Sequence, residues 1–92
     1  MVLKDFKVKA VECLINNFNA ECENEPNGCN LVVNDVTFFD AKSVEKSNDY
    51  ILIRSAFRGE APITGCIAID EINTMYYMDD YYNIVSLTNI EF

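Results

Sequence analysis

Between Lys4 and Cys22 the apolar residues Val8, Val11, Ile15, Phe18 and Cys22 recur at steps of three and four, and Leu3, Phe6, Ala10 and Leu14 widen the stripe they form. Side chains at that spacing share one face of an α-helix, so the segment predicts an amphipathic helix with one side committed to a core. It must stop before Pro26-Asn27-Gly28: proline has no N–H to continue the ladder, and Asn-Gly readily takes positive φ. A chain that opens this way needs a flat apolar surface for the helix to cover.

The remainder supplies one. After Gly28, β-branched and aromatic runs alternate with turn residues, the texture of antiparallel strands. Strands are expected near Leu31 to Phe39, Tyr50 to Phe57, Ile63 to Ile69, Ile72 to Met78 and Tyr81 to Ile90. Turns fall at Ser47-Asn48-Asp49, Arg58-Gly59-Glu60-Ala61-Pro62 and Met78-Asp79-Asp80-Tyr81. Within the second strand Ile51, Ile53 and Phe57 lie on one face and Tyr50, Leu52 and Arg54 on the other. Both faces carry apolar area, so a central strand is expected, covered by the helix on one side and by a second sheet layer or a partner on the other. The expected fold class is α+β: an N-terminal amphipathic helix packed on a curved antiparallel sheet or small barrel of about four or five strands. With 92 residues and no break in composition, residues 1–92 are read as a single domain.

Charge is distributed unevenly. The formal total is −8; residues 1–59 hold nine acids and seven bases, whereas residues 60–92 hold Glu60, Asp70, Glu71, Asp79, Asp80 and Glu91 with no base. Such a surface repels phosphate and anionic lipid and attracts a basic protein, so contact with nucleic acid or membrane is not expected. No run approaches the roughly 18 apolar residues of a membrane span, and no signal-peptide pattern opens the chain, which points to the cytoplasm. There, reducing conditions leave Cys13, Cys22, Cys29 and Cys66 as free thiols, with Cys13 and Cys66 expected as small core residues.

Catalytic arrangements are hard to assemble from these residues. No histidine is present, which removes the Ser-His-Asp and Cys-His pairings, and Gly28, Gly59 and Gly65 stand singly rather than in a phosphate-cradling loop. The cysteine spacings do not form the close pairs that present thiolates to zinc, and Asp70-Glu71 and Asp79-Asp80 lack the layout of a calcium loop. No enzyme activity, cofactor or metal is expected. The segment that stands out is Tyr76-Tyr77-Met78-Asp79-Asp80-Tyr81-Tyr82, four tyrosines bracketing two aspartates on one expected hairpin. Tyrosine gives a large rigid contact with a polar tip, and a neighbouring carboxylate can hold an arginine in forked hydrogen bonds. Packing of those rings inside a two-sided sheet is the alternative.

A short, acidic, asparagine-rich chain without catalytic apparatus resembles the small proteins with which bacteriophages block host defence, anti-CRISPR proteins and other DNA mimics among them. The resemblance implies a stoichiometric, non-enzymatic inhibitor in the host cell cytoplasm, its partner a basic, nucleic-acid-binding host effector. The residues that would meet that partner are Glu60, Asp70, Glu71, Tyr77, Asp79, Asp80 and Tyr81. Over Val32 to Tyr77 the runs Val36-x-Phe38-Phe39, Asp49-Tyr50-Ile51-Leu52-Ile53 and Ile67-Ala68-Ile69-x-x-Ile72 also resemble the strand order of Sm-like and SH3-like small barrels. That likeness implies a structural or regulatory module, self-associated as a homodimer or held as an accessory subunit. The residues for RNA binding are missing.

Overall fold

A computed structural model describes residues 3–56 and 60–89. The helix α1 spans Leu3–Cys22 and is followed by six strands: β1 (Cys29–Val33), β2 (Val36–Ser47), β3 (Tyr50–Ser55), β4 (Ile63–Ala68), β5 (Met75–Met78) and β6 (Ile84–Ser86). They form one sheet in the order β4-β3-β2-β1-β5-β6, antiparallel throughout. The sheet is open, with β4 and β6 as its edges, so of the two expected forms the curved sheet is the one adopted.

The stretch expected as one strand from Leu31 to Phe39 is a hairpin. Asn34 (φ 50°) and Asp35 (φ 66°) form the two-residue turn between β1 and β2, with Val33 opposite Val36. Two successive positive φ values suit the right-handed twist of the flanking strands, and Asn and Asp are among the few non-glycine residues that accept them. The region expected as a strand from Ile72 begins pairing only at Met75, and Ile69–Glu71 form a single 3-10 turn. The last expected strand shortens to β6 and a second 3-10 turn at Leu87–Asn89. Phe57, Arg58, Gly59 and Ile90 lie outside the described residues.

Curvature comes from β2. Its first half pairs with β1 and its second half with β3, and pairing shifts register between Ala41 and Ser43, just past Asp40 at φ 55°. The 3-10 turn measures the bend: the Ile69 N–H donates to the Asp49 carbonyl at 2.7 Å, while the Asn34 carboxamide donates to the Glu71 carbonyl at 2.8 Å. A straight strand as long as β2 would hold its two flanking turns about 36 Å apart. Three residues reach about 11 Å at most. The two ends of β2 are therefore folded towards each other, and α1 lies inside the bend.

From Ala10 to Cys22 the helix stripe is buried as its spacing predicts, whereas towards the start of the helix Val8 is half-buried and Phe6 is exposed, against the expectation. Val11, Leu14 and Phe18 are fully enclosed, with Ile15, Cys22 and Ala10 beside them, against Leu31, Val33, Val44, Ile51, Ile53, Ile69, Ile72 and Met75. Each large side chain so buried contributes about 1.5–3 kcal/mol. A carboxamide pins the helix to the sheet: Asn19 Nδ2 donates to the Val44 carbonyl at 2.8 Å and its Oδ1 accepts the Val44 N–H at 2.9 Å. Gly65 lets the β3–β4 pair close on the core, since a Cβ there would stand 2.6 Å from Cε1 of Phe38.

Two expectations are corrected. On β3 Ile51 and Ile53 are buried, but Leu52 is only half-buried and Tyr50 is exposed, so among the described residues no second sheet layer covers the outer face. Among the cysteines Cys22 is the core residue, whereas Cys13 is half-buried and Cys66 exposed. Cys13 falls at the margin of the helix stripe, and Cys66 stands opposite Leu52, on the alternation that faces away from the helix. All four thiols are free.

Candidate protein-binding surface

The turn joining β5 to β6 is built by one aspartate. The Asp79 N–H donates to the Asn83 carbonyl and the Tyr82 N–H to the Asp79 carbonyl, both at 3.0 Å; the Asp79 carboxylate then accepts the N–H groups of Tyr81 and Asn83, each at 2.9 Å. Aspartate does this well because its short carboxylate reaches backbone donors two and four residues on. Tyr82 sits at φ 61°, a left-handed conformation that costs a side chain of its type about 1–2 kcal/mol. The rings gain no compensating burial: Tyr81 is 83% exposed and Tyr82 82%. Beside them on the outer face, the cross-strand pair Met78 and Ile84 is also exposed, and Tyr76 stands opposite Val32.

Carboxylates crowd the other side of the turn. The Asp80 N–H donates to Glu21 Oε1 at 2.7 Å, which ties the turn to the last turn of α1. The Asp80 carboxyl also faces both Glu21 and Glu25. Glu21 is pushed above the usual carboxylate range by loss of surrounding water and by Asp80, and Glu25 by the hydrogen bond and charge of Asp80. Lys42, whose Nζ donates to the Glu25 carbonyl at 2.7 Å, opposes the shift at Glu25. Glu21 is also placed against the helix dipole, because the last turn of α1 carries an acid and no base.

A pH dependence follows. Just above the usual carboxylate range the folded chain holds protons at Glu21 and Glu25 that the unfolded chain has released, so stability falls as pH rises through that window. Below the unfolded pKa both states are protonated and the contribution is constant. Melting temperatures from about pH 5 to about pH 7 should therefore fall more steeply for the wild type than for Asp80→Asn, which removes the carboxylate facing both glutamates. Parallel curves would show that the three groups do not interact.

Tyr77 is not part of this surface. It is 3% exposed and packs edge-on against Phe18, with ring centroids 5.3 Å apart and planes at 76°. Alternation along β5 sends Met75 and Tyr77 inward and Tyr76 and Met78 outward, so Tyr77 belongs to the core. Burial pushes its hydroxyl up to about 12, assisted by the charges of Glu21 and Asp79.

The other candidate residues are divided. Asp79, Asp80 and Tyr81 lie on the turn; Asp70 and Glu71 occupy the 3-10 turn that precedes β5, at the strand's opposite end; Glu60 precedes β4. Lys7 Nζ donates to the Asp70 carbonyl at 2.9 Å. The structure instead adds Glu21, Glu25, Tyr82, Met78 and Ile84 to the Asp79-Asp80 turn. The sequence held one clue to the glutamates, a helix ending in acids where bases are favoured. It held none to their meeting Asp80, a contact spanning 59 positions.

Cys22 and Cys29 face each other beneath this cluster. Burial, with the Cys29 thiol second, pushes the Cys22 thiol up to about 12, and Cys29 is also raised, chiefly by burial. The Cys22 Sγ donates to the Ala41 carbonyl at 3.4 Å. Among the described residues no group of His, Cys, Asp and Glu is arranged to hold a metal ion, and no helix is long and apolar enough to cross a membrane. No protein-family model matches the chain, and neither the curated proteins nor the solved structures contain a significant match to it.

Proposed function

We propose that this protein is a non-enzymatic inhibitor that binds a basic, nucleic-acid-handling protein in the cytoplasm, in the manner of an anti-CRISPR or DNA-mimic protein, through the β5–β6 turn and the end of α1. The observation that carries the reading is the turn itself: two tyrosines more than four-fifths exposed, one held at positive φ, beside three crowded carboxylates. Strain and like-charge crowding reduce the stability of the free protein, and both are consistent with a surface selected for contact rather than for folding. A guanidinium or ammonium group from a partner would relieve the crowding among Glu21, Glu25 and Asp80, while Tyr81, Tyr82, Met78 and Ile84 supply rigid apolar contact. Both resolved thiol shifts run upward, opposite to the activation a nucleophilic cysteine requires, which supports a non-catalytic role.

Asp80→Lys separates binding from folding. A lysine at position 80 faces Glu21 and Glu25, so the variant should melt higher than the wild type. Its affinity for a basic partner should fall by more than about tenfold, through loss of one charge pairing and gain of a repulsive one. The partner is captured from host lysate with the wild type, identified by mass spectrometry, and titrated against both proteins at two salt concentrations. Asp79 is avoided because its carboxylate builds the turn. A captured nucleic-acid-binding protein released equally slowly from wild type and variant would rule out this surface.

A further inference from the structure

We propose that Cys22 and Cys29 are a modification site, joined as an intramolecular disulfide by exchange with a small disulfide that reaches Cys29. The fold brings both residues against one position of β2. Cys22 ends α1, and its Sγ donates to the Ala41 carbonyl at 3.4 Å. Cys29 opens β1 directly opposite the same Ala41, just before a shift in register. Cross-strand partners of this kind have Cα atoms about 4.5–5.5 Å apart. Residues 23–28 double back between the two cysteines: the Glu25 N–H donates to the Cys22 carbonyl at 3.1 Å and the Gly28 N–H to the Glu25 carbonyl at 3.0 Å. Gly28, at φ 79°, then passes close against the Asp40 and Ala41 carbonyls, which sets Cys29 beside the end of the helix. The two thiols face each other as a result. Facing sulfurs are what a disulfide needs, since cysteines whose side chains diverge cannot be bridged without moving the backbone.

Burial fixes the order of events. Cys22 is 2% exposed, whereas Cys29 is half-buried and lines a cleft of about 450 Å³ with Glu25, Asn30, Asp80 and Tyr82. The Cys29 thiolate attacks one sulfur of the incoming disulfide, whose S–S bond breaks; the first small thiol leaves with the proton Cys29 gave up, and a mixed disulfide remains on Cys29. The Cys22 thiolate then attacks the Cys29 sulfur and expels the second small thiol, which takes up the Cys22 proton. In sum two protein thiols are oxidised and one small disulfide is reduced to two thiols. Exchange is slow, because burial and the charges of Glu25, Glu21 and Asp80 keep Cys29 protonated against the opposing contact with Cys22, and only Lys42 favours the thiolate of Cys22. The same surroundings give the reduced form no thiolate stabilisation, so the bond once closed is not a strong oxidant. It ties the end of α1 to the start of β1 and fixes the loop that carries Glu25. None of this depends on the function proposed for the turn.

The test uses the full chain carrying Cys13→Ser and Cys66→Ser, both outside the core cluster, so that only this pair can react. The protein is equilibrated with cystamine and cysteamine at a series of ratios, approached from the reduced and from the oxidised side, and quenched with acid. Cystamine is the probe because its positive charges suit a cleft lined by carboxylates. Intact mass and non-reducing peptide mapping should show a product that has lost two hydrogens and links Cys22 to Cys29. Its equilibrium constant should be at least about tenfold larger in buffer than in concentrated urea, because the fold holds the sulfurs together. Adding Cys22→Ala should leave a stable mixed disulfide on Cys29 instead. A mixed disulfide on Cys29 with Cys22 still reduced in the parent protein, or no linked product at the most oxidising ratio, would overturn the proposal. So would an equilibrium constant no larger in buffer than in urea, which would mean that the folded chain does not hold the two thiols in bonding position.

Discussion

Phe18→Ala is expected to lose about 3–5 kcal/mol of folding free energy, enough to leave a domain of this size largely unfolded near its normal melting range. Phe18 is fully buried and sits where the helix, β1 and β5 meet, with Leu31 and Tyr77 in the same cluster and the Tyr77 ring edge-on at 5.3 Å. Truncation forfeits the transfer energy of the ring and leaves a cavity that neighbours anchored in helix and strands cannot collapse into. It also removes an aromatic pairing worth about 0.5–1.5 kcal/mol beyond burial. The measurement is urea denaturation followed by far-UV circular dichroism, with Phe18→Leu as companion. The leucine variant should retain much of the lost stability, because it refills part of the volume. A loss below about 1 kcal/mol for the alanine variant would mean that the helix is not docked as described.

Gly28→Ala is the second large effect, and its cause lies in the backbone. Gly28 has φ 79°, and a Cβ there would stand 2.5 Å from the Ala41 carbonyl oxygen and 2.7 Å from that of Asp40. The left-handed conformation costs an L-residue about 1–2 kcal/mol. The overlap is with the backbone of β2 at its bend, which cannot swing aside as a flexible side chain would. A total of about 2–4 kcal/mol is therefore expected, read as a lower urea midpoint at unchanged slope. The site should respond as well. Gly28 follows the loop that carries Glu25, and its N–H donates to the Glu25 carbonyl at 3.0 Å, the same oxygen that accepts Lys42. Displacing this loop moves one carboxylate of the cluster around Asp80, so whatever variant remains folded should also bind a basic partner less tightly. A variant with wild-type stability would show that the approach of Gly28 to β2 is not as close as the structure places it.

Local chemistry made much of this protein legible before any coordinates. The stripe from Val8 to Cys22 can be satisfied only by a helix with one buried face, and Pro26-Asn27-Gly28 can only end it, so α1 and the glycine loop follow from side-chain spacing and backbone freedom alone. Alternation fixed which residues of β3 point inward, Ile51 and Ile53 among them. Asn34-Asp35 was legible in principle, but it lay inside an apolar run whose β propensity outweighed it. What only the tertiary structure decided was the company each residue keeps. The bend in β2, made by Asp40 and a shift of pairing, brings the two turns flanking that strand onto a single 3-10 turn. The same fold carries Glu21 and Glu25 to Asp80 across more than fifty positions of chain. It also decides that Tyr77 enters the core while Tyr81 and Tyr82 stay outside. Tyrosines so close in sequence look alike until the sheet has a concave side, because propensity and periodicity are properties of neighbours along the chain, whereas burial and charge crowding depend on neighbours in space.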